Sequence, residues 1–164
     1  MKGLILYRST YGSTEQYARW ISEETGYELL ELGKQRRKQV EDSDVVIVGA
    51  PVMAGQSAAG RWIVKNWPAL KDKKVVLFTT SGADPDDPEI LENYRKNIDS
   101  GIRDRLTYVP LGGRIIVGEL KPLHRFLMRL GQRFEKDESV RENMGKDVDR
   151  LDRRGIEALV RAAV

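Results

Sequence analysis

The sequence contains no cysteine and only one histidine, His124. Without cysteine the chain has no disulfide, no thiolate metal site and no cysteine nucleophile, so any redox chemistry requires a bound cofactor. A single histidine also excludes a metal centre with several histidine ligands, and we predict no metal site. No apolar run is long enough for a transmembrane helix, and no signal peptide precedes the first strand. We therefore expect a cytoplasmic protein.

The composition is typical of one globular domain that spans residues 1–164. Hydrophobic residues make up 40% of the chain, which is enough for a sizeable core at this length, and no repeat or interdomain linker interrupts it. The net charge of +3 suits anionic partners. The basic segment 33–38 has no aromatic residue on which bases could stack, so we do not expect nucleic acid as a partner.

An apolar strand near the N-terminus leads into a loop of hydroxyl side chains around one glycine. The loop residues are Ser9, Thr10, Tyr11, Gly12, Ser13 and Thr14. A helix pattern follows at once, and the unpaired N–H groups and the dipole of a helix start attract anions. The loop has no lysine and fits neither the Walker nor the Rossmann pattern, so it indicates a phosphate monoester. An ordinary turn with Thr10 or Ser13 as the helix cap is the alternative.

The rest of the chain alternates strands with helices. The hydrophobic patterns predict strands at 3–8, 27–32, 44–51, 73–80 and 106–111, the last extended through 114–117. They predict helices at 14–25, 58–67, 89–103, 122–134 and 147–163, with a turn or short helix at 33–38. This alternation predicts an α/β, doubly wound, five-stranded parallel sheet with helices on both faces.

Three polar loops, at 9–14, 51–57 and 80–87, each follow an apolar strand of the predicted sheet. In doubly wound sheets ligands bind beyond the carboxyl ends of the strands, where the strand order reverses. We therefore expect these loops to meet at one site.

The first loop resembles the phosphate-binding signature of the flavodoxin family. The pattern is Ile5-Leu6-Tyr7-x-Ser9-x-x-Gly12-x-Thr14-x-x-x-Ala18. The resemblance implies a flavodoxin-like sheet of order 2-1-3-4-5 and FMN as the cofactor. It also implies that one loop lines a face and the N5 edge of the flavin ring, through Pro51, Val52, Met53, Ala54 and Gly55. The peptide of Gly55 is a candidate for reorientation on reduction. The third loop would offer backbone N–H groups to the pyrimidine edge, from Thr80, Ser81, Gly82 and Ala83.

Flavodoxins usually sandwich the flavin ring between aromatic side chains, and neither ring loop of this chain has one. An open ring face leaves room for a substrate, which favours an enzyme. The chain is most similar to the flavodoxin-fold protoporphyrinogen dehydrogenases that use menaquinone, in the first loop, at Gly49-Ala50 and at 121–129. The leading hypothesis is an FMN-binding oxidoreductase with a porphyrinogen or quinone as a small-molecule partner and no assigned catalytic residue. The alternatives are a non-enzymatic electron carrier between proteins and a flavin-free binding module.

The helix predicted at 122–134 has two distinct faces. We call the first the apolar stripe, formed by Leu123, Phe126, Leu127, Leu130 and Phe134. We call the second the basic row, formed by Lys121, Arg125, Arg129 and Arg133. The apolar stripe predicts that this face of the helix packs on the sheet, while the arginines of the basic row point to solvent. The absence of acidic residues from 120 to 134 leaves a second interpretation open, in which the row binds porphyrin propionates or places the protein at the inner face of an anionic membrane. We expect His124 to be a surface or cap residue.

Overall fold

The computed structural model describes all residues, 1–164. The strands are β1 (Gly3–Tyr7), β2 (Glu28–Glu31), β3 (Val45–Met53), β4 (Gln56–Ser57), β5 (Lys74–Ser81), β6 (Leu106–Gly112), β7 (Arg114–Ile115) and β8 (Val148–Asp149). The helices are α1 (Ser13–Thr25), α2 (Arg37–Glu41), α3 (Ala58–Leu70), α4 (Pro88–Asn97), α5 (Ser100–Arg103), α6 (Pro122–Phe134), α7 (Glu138–Asn143) and α8 (Ile156–Ala163). Short 3-10 turns occur at Val117–Glu119 and Arg153–Gly155.

Five parallel strands form the main sheet in the order β2-β1-β3-β5-β6. The predicted order 2-1-3-4-5 is thereby confirmed, because the two-residue strand β4 is only a hairpin partner of β3. The strand order reverses between β1 and β3, so the carboxyl ends of these strands form the crevice in which such sheets bind ligands.

Helices cover both faces of the central strands. Because successive strand residues point to opposite faces, neighbouring residues belong to different core clusters. Leu4 and Leu6 of β1 belong to one core cluster, in which Ile63 of α3 also packs. Ile5 and Tyr7 belong to the other cluster, which α1 and α8 cover. The unbroken apolar runs of these strands are explained by this two-sided burial.

The predicted loop at 51–57 is in fact a hairpin. Strand β3 continues through Met53 and pairs antiparallel with β4. Ala54 and Gly55 form a two-residue turn, and both have positive φ, +50° and +72°, as a type I′ turn requires. The helix predicted at 89–103 is also interrupted. Ile98, which follows α4 in the chain and precedes α5, has an extended backbone, and its side chain is buried in the core.

The C-terminal part differs most from the prediction. Residues 114–117 do not extend β6, because β7 instead pairs antiparallel with β8. The helix predicted at 147–163 begins only at Ile156, after β8 and a 3-10 turn at which the Asp152 side chain accepts a hydrogen bond from the Arg154 N–H. Pairing with a distant strand, which local patterns do not encode, accounts for both errors.

Helix α6 has the predicted bounds, but its apolar stripe does not pack on the sheet. The five stripe residues are 40–73% exposed to solvent. The half-buried face of the helix is the one that carries His124, Met128 and Gln132. The prediction of a packed stripe was therefore wrong, because contacts made by the opposite face determine how the helix lies. No helix of the structure has the length and apolar character needed to cross a membrane.

Candidate functional site

A pocket at the carboxyl ends of β1, β3 and β5 brings the three predicted loops together. Most of the predicted site residues line it: Ser9, Thr10, Tyr11, Ser13, Thr14, Pro51, Val52, Met53, Thr80, Ser81 and Gly82. The remaining predicted residues, Gly12, Ala54, Gly55 and Ala83, lie outside the lining. Gly12 precedes α1, and Ala54 and Gly55 form the turn of the β3–β4 hairpin.

The first loop presents free backbone donors to the pocket. Gly12 has a φ of +95° and is the N-cap of α1, without a side-chain cap. The first helical bond runs from Gln16 N–H to the Gly12 carbonyl, so the N–H groups of residues 13–15 have no acceptor within the helix. The alternative in which Thr10 or Ser13 caps the helix is therefore excluded. Uncapped amides of this kind bind a phosphate.

Several loop hydroxyls have partners inside the protein. Ser9 Oγ accepts a bond of 3.0 Å from the Gly12 N–H. Thr14 Oγ1 and Thr80 Oγ1 lie 2.8 Å apart, both buried, and so join the first loop to the third. These hydroxyls shape the loops.

Two hydroxyls in the pocket have no partner. Thr10 makes no hydrogen bond within the protein, and Ser81 Oγ is buried and unpaired. A buried polar atom without a partner is costly. Ser81 therefore fits a polar atom supplied by a ligand.

The pocket also contains residues that the sequence patterns did not single out. They are Gly113, Arg114, Ile115, Leu120, His124 and Met128. The first three directly follow the edge strand β6, so the rule that loops meet at the carboxyl ends of parallel strands could have included them. No local signal predicted the contribution of α6, because its position depends on tertiary contacts.

Arg114 supplies a positive charge next to the lysine-free first loop. Its backbone N–H donates to Ser13 Oγ at 2.9 Å. Its guanidinium is 3.9 Å from Asp149 Oδ2 in an exposed pair, and such pairs are weak. Arg114 lines the pocket, and this weak pair is the only ion pair that its guanidinium makes.

Tyr17 positions the segment that carries Arg114. Its hydroxyl donates to the Gly112 carbonyl at 2.8 Å and accepts the Asp152 N–H at 3.0 Å. Burial raises the pKa of Tyr17 above its ordinary value, so the hydroxyl stays protonated and able to donate. Helix α1 is thereby tied to the end of β6.

Tyr11 links the first loop to α6. Its hydroxyl accepts the Lys121 N–H at 3.1 Å and is hydrogen-bonded to His124 Nδ1. The two rings meet edge to face, with centroids 5.7 Å apart. Either the Tyr11 hydroxyl or the Nδ1 atom is the donor in this bond, according to the tautomer of His124. His124, which the sequence suggested to be a surface or cap residue, is half-buried and lines the pocket.

The walls beside the ring loops are aliphatic. They come from Val52 and Met53 on one side and from Ile115, Leu120 and Met128 on the other. The aromatic rings in the lining, Tyr11 and His124, belong to the first loop and to α6. The donors for a phosphate, the apolar walls for a flat ring and the unpaired Ser81 together fit FMN.

The fold and the site define a class of protein: a doubly wound α/β domain with a phosphate-type anion site at the switch point between β1 and β3. Residues 4–141 match the family described as flavodoxin domain. The chain belongs to this family, and its pocket fits FMN, the cofactor that the first-loop signature predicted. No curated protein matches the chain.

The solved structures that resemble the chain are distant from it in sequence. The Trp repressor binding protein of Bacillus subtilis is 13% identical with a TM-score of 0.53, over 79% of this chain and 94% of that one. A flavoprotein of Lactobacillus acidophilus in complex with FMN is 17% identical with a TM-score of 0.46, over 68% and 91%. A flavodoxin from the domain Archaea is 15% identical with a TM-score of 0.41, over 63% and 98%.

Proposed function

We propose that the chain is an FMN-dependent oxidoreductase that passes electrons from a small reduced substrate to a quinone-type acceptor. The observation that carries the proposal is the aliphatic lining of the pocket, where Met53 is 42% exposed and neither ring loop contributes an aromatic side chain. An uncovered ring face gives a substrate access that a protein-to-protein electron carrier does not need.

The residues of the site have separable roles in this proposal. The amides at the start of α1 and the Arg114 guanidinium hold the phosphate. Met53 and Ile115 bound the ring, and Ser81 bonds to its polar edge. FMN supplies the redox chemistry that no side chain of this cysteine-free chain can supply.

His124 is the residue of the pocket best suited to move a proton. Imidazole both accepts and donates protons near neutral pH. The bond between the Tyr11 hydroxyl and Nδ1 holds the ring against the first loop, and Nε2 has no partner within the protein. Reduction of a quinone to a hydroquinone takes two electrons and two protons, so a proton donor beside the acceptor assists it.

The specific form we propose resembles a protoporphyrinogen dehydrogenase with menaquinone as the acceptor. Its support is the open pocket with aliphatic walls, which leaves room for a flat substrate beside the flavin. The alternative is a non-enzymatic carrier between protein partners. The two differ in whether the FMN-loaded protein alone turns over small molecules.

The test is an anaerobic steady-state assay of the FMN-loaded protein with a porphyrinogen donor and a soluble quinone. We expect repeated turnover of both substrates without any added protein. Met53→Tyr should slow turnover by covering the ring face while FMN remains bound. Val64→Tyr, at a similarly exposed apolar position on α3, is the matched control and should not slow it. A lack of turnover, with electron exchange only towards a partner flavoprotein, would favour the carrier.

A further inference from the structure

The apolar stripe of α6 holds five of the eleven large hydrophobic side chains that are exposed in the molecule. Phe126 and Phe134 are 60% and 73% exposed, and the leucines between them are exposed as well. No segment of the chain covers the stripe, because α7 and the following loop bind the other side of the helix. Gln132 Nε2, for example, donates to the carbonyls of Arg141 and Met144. Large exposed apolar patches mark interaction surfaces.

Cations without ion-pair partners recur along α6, from its N-cap to its last turn. Lys121, Arg129 and Arg133 make no ion pair within the protein, although ion pairs are common elsewhere on its surface. No carboxylate lies between residues 120 and 134. Arg125 is different from the rest of the basic row, because its guanidinium turns inward to the carbonyls of Gly118 and Leu120. The surface that α6 offers is therefore both apolar and basic.

We propose that α6 binds an anionic bilayer surface, with the apolar stripe in the headgroup–acyl boundary and the free cations at the phosphates. An amphipathic helix with Phe and Leu on one face and Lys or Arg beside it is the type that lies in this boundary. Its 13 residues span about 20 Å, too short to cross the bilayer. A second copy packed face to face on α6 would instead bring two basic rows together, and Glu142 of α7 is the one carboxylate in the shallow surface pocket that Arg129 and Arg133 line.

Membrane binding by α6 would place the pocket close to the lipid. The face opposite the stripe, with His124 and Met128, is a wall of the pocket. The pocket is thus about one helix diameter, roughly 10–12 Å, from the bilayer surface. A lipid-dissolved acceptor would be within reach. This consequence rests on the proposed function, whereas membrane binding itself does not.

The test is co-sedimentation of the protein with vesicles of phosphatidylglycerol and phosphatidylcholine, and with vesicles of phosphatidylcholine alone. We expect binding to the anionic vesicles at low salt and much weaker binding at about 1 M salt, where the Debye length is about 3 Å. Phe126→Ser with Phe134→Ser should weaken binding at least about tenfold, because two exposed phenyl rings lose their burial in lipid. Arg129→Gln with Arg133→Gln should remove most of the salt dependence.

Two controls keep these outcomes specific. Leu91→Ser changes an exposed leucine on α4, and Lys65→Gln with Lys71→Gln removes two unpaired cations near α3; neither should affect vesicle binding. Circular dichroism checks that each variant is folded, and FMN titration reports separately on the cofactor site. Absence of binding to anionic vesicles at low salt would overturn the proposal, as would equal binding to neutral vesicles. A dimer that Phe126→Ser and Phe134→Ser dissolve, without vesicle binding, would assign the stripe to a second copy.

Discussion

Helices α6 and α8 have equally clear amphipathic patterns but opposite relations to the core. Ile156, Leu159 and Ala163 of α8 are 0–3% exposed and pack with α1 against the sheet. The apolar stripe of α6 faces solvent. Hydrophobic periodicity therefore identifies a helix and its apolar face, but it does not tell whether that face meets the core of the same chain.

The two helices are also held in different ways. Helix α8 is fixed by burial of its apolar face. Helix α6 is fixed mainly by polar contacts from its other faces, such as those of Tyr11 with His124 and of Gln132 with the Met144 carbonyl. Apolar burial contributes more to stability than a net hydrogen bond does. We therefore expect α8 to be part of the cooperative core and α6 to open more easily.

The largest expected effect is that of matched leucine truncations on the two helices. Leu159→Ala should lower the free energy of unfolding by about 2–5 kcal/mol, because it leaves a cavity in the core. Leu127→Ala should change it by less than about 0.5 kcal/mol, since Leu127 is exposed. Urea denaturation followed by circular dichroism measures both. Similar losses in the two variants would show that the stripe is packed in solution.

A second prediction concerns the stability of the protein at high pH, through the contact between α4 and β6. Tyr94 of α4 stacks on Tyr108 at 4.0 Å, and burial raises the pKa of Tyr94 to about 12. In the unfolded chain the Tyr94 hydroxyl loses its proton near pH 10. The stability that the protonated hydroxyl gives to the folded state is therefore intact below pH 10 and is lost as the pH rises towards 12. Thermal denaturation across this range should show the decline.

The control for the alkaline prediction is Tyr94→Phe, which should reduce the decline between pH 10 and pH 12. Absorbance at alkaline pH should also show one late-titrating tyrosine fewer in this variant. A wild-type titration in which every tyrosine ionises near pH 10 would contradict the packing of α4 on β6.

A smaller effect is expected from the hydroxyls that hold each helix. Tyr11→Phe removes the bonds to His124 and to the Lys121 N–H, and should make α6 open more easily by about 1 kcal/mol. Tyr27→Phe removes a bond of 3.1 Å to the Ala163 carbonyl of α8. Since α8 is held by apolar burial, its backbone amides should keep most of their protection from hydrogen exchange in this variant. Hydrogen exchange of both helices measures the difference, and equal changes would contradict it.

The centre of the sheet was predictable because β1, β3 and β5 contain continuous buried runs. Leu4–Tyr7 and Val45–Ala50 have no polar residue that would suggest another structure. The errors arose where distant pairing decides the conformation. Examples are Met53, which β4 draws into the sheet, and Val148, which pairs with Ile115.

The candidate site was predictable as far as it depends on strand ends. The loops after β1, β3 and β5 converge as the topology requires. The contribution of His124 and Met128 depends on how α6 docks, which the hydrogen bonds of Tyr11 decide. A loop hydroxyl also does not reveal from sequence whether it faces a ligand, as Ser81 can, or another loop, as Thr14 does.

The central claim, that the start of α1 and Arg114 hold the phosphate of FMN, is tested most directly by titrating the apoprotein with FMN and riboflavin. We predict that FMN binds more tightly than riboflavin. In Arg114→Gln the gap between their two binding free energies should shrink by about 1–3 kcal/mol, because a bond to a charged group is lost. Lys65→Gln, which removes a cation far from the pocket lining, should leave the gap unchanged. Riboflavin binding as tight as that of FMN would contradict the claim.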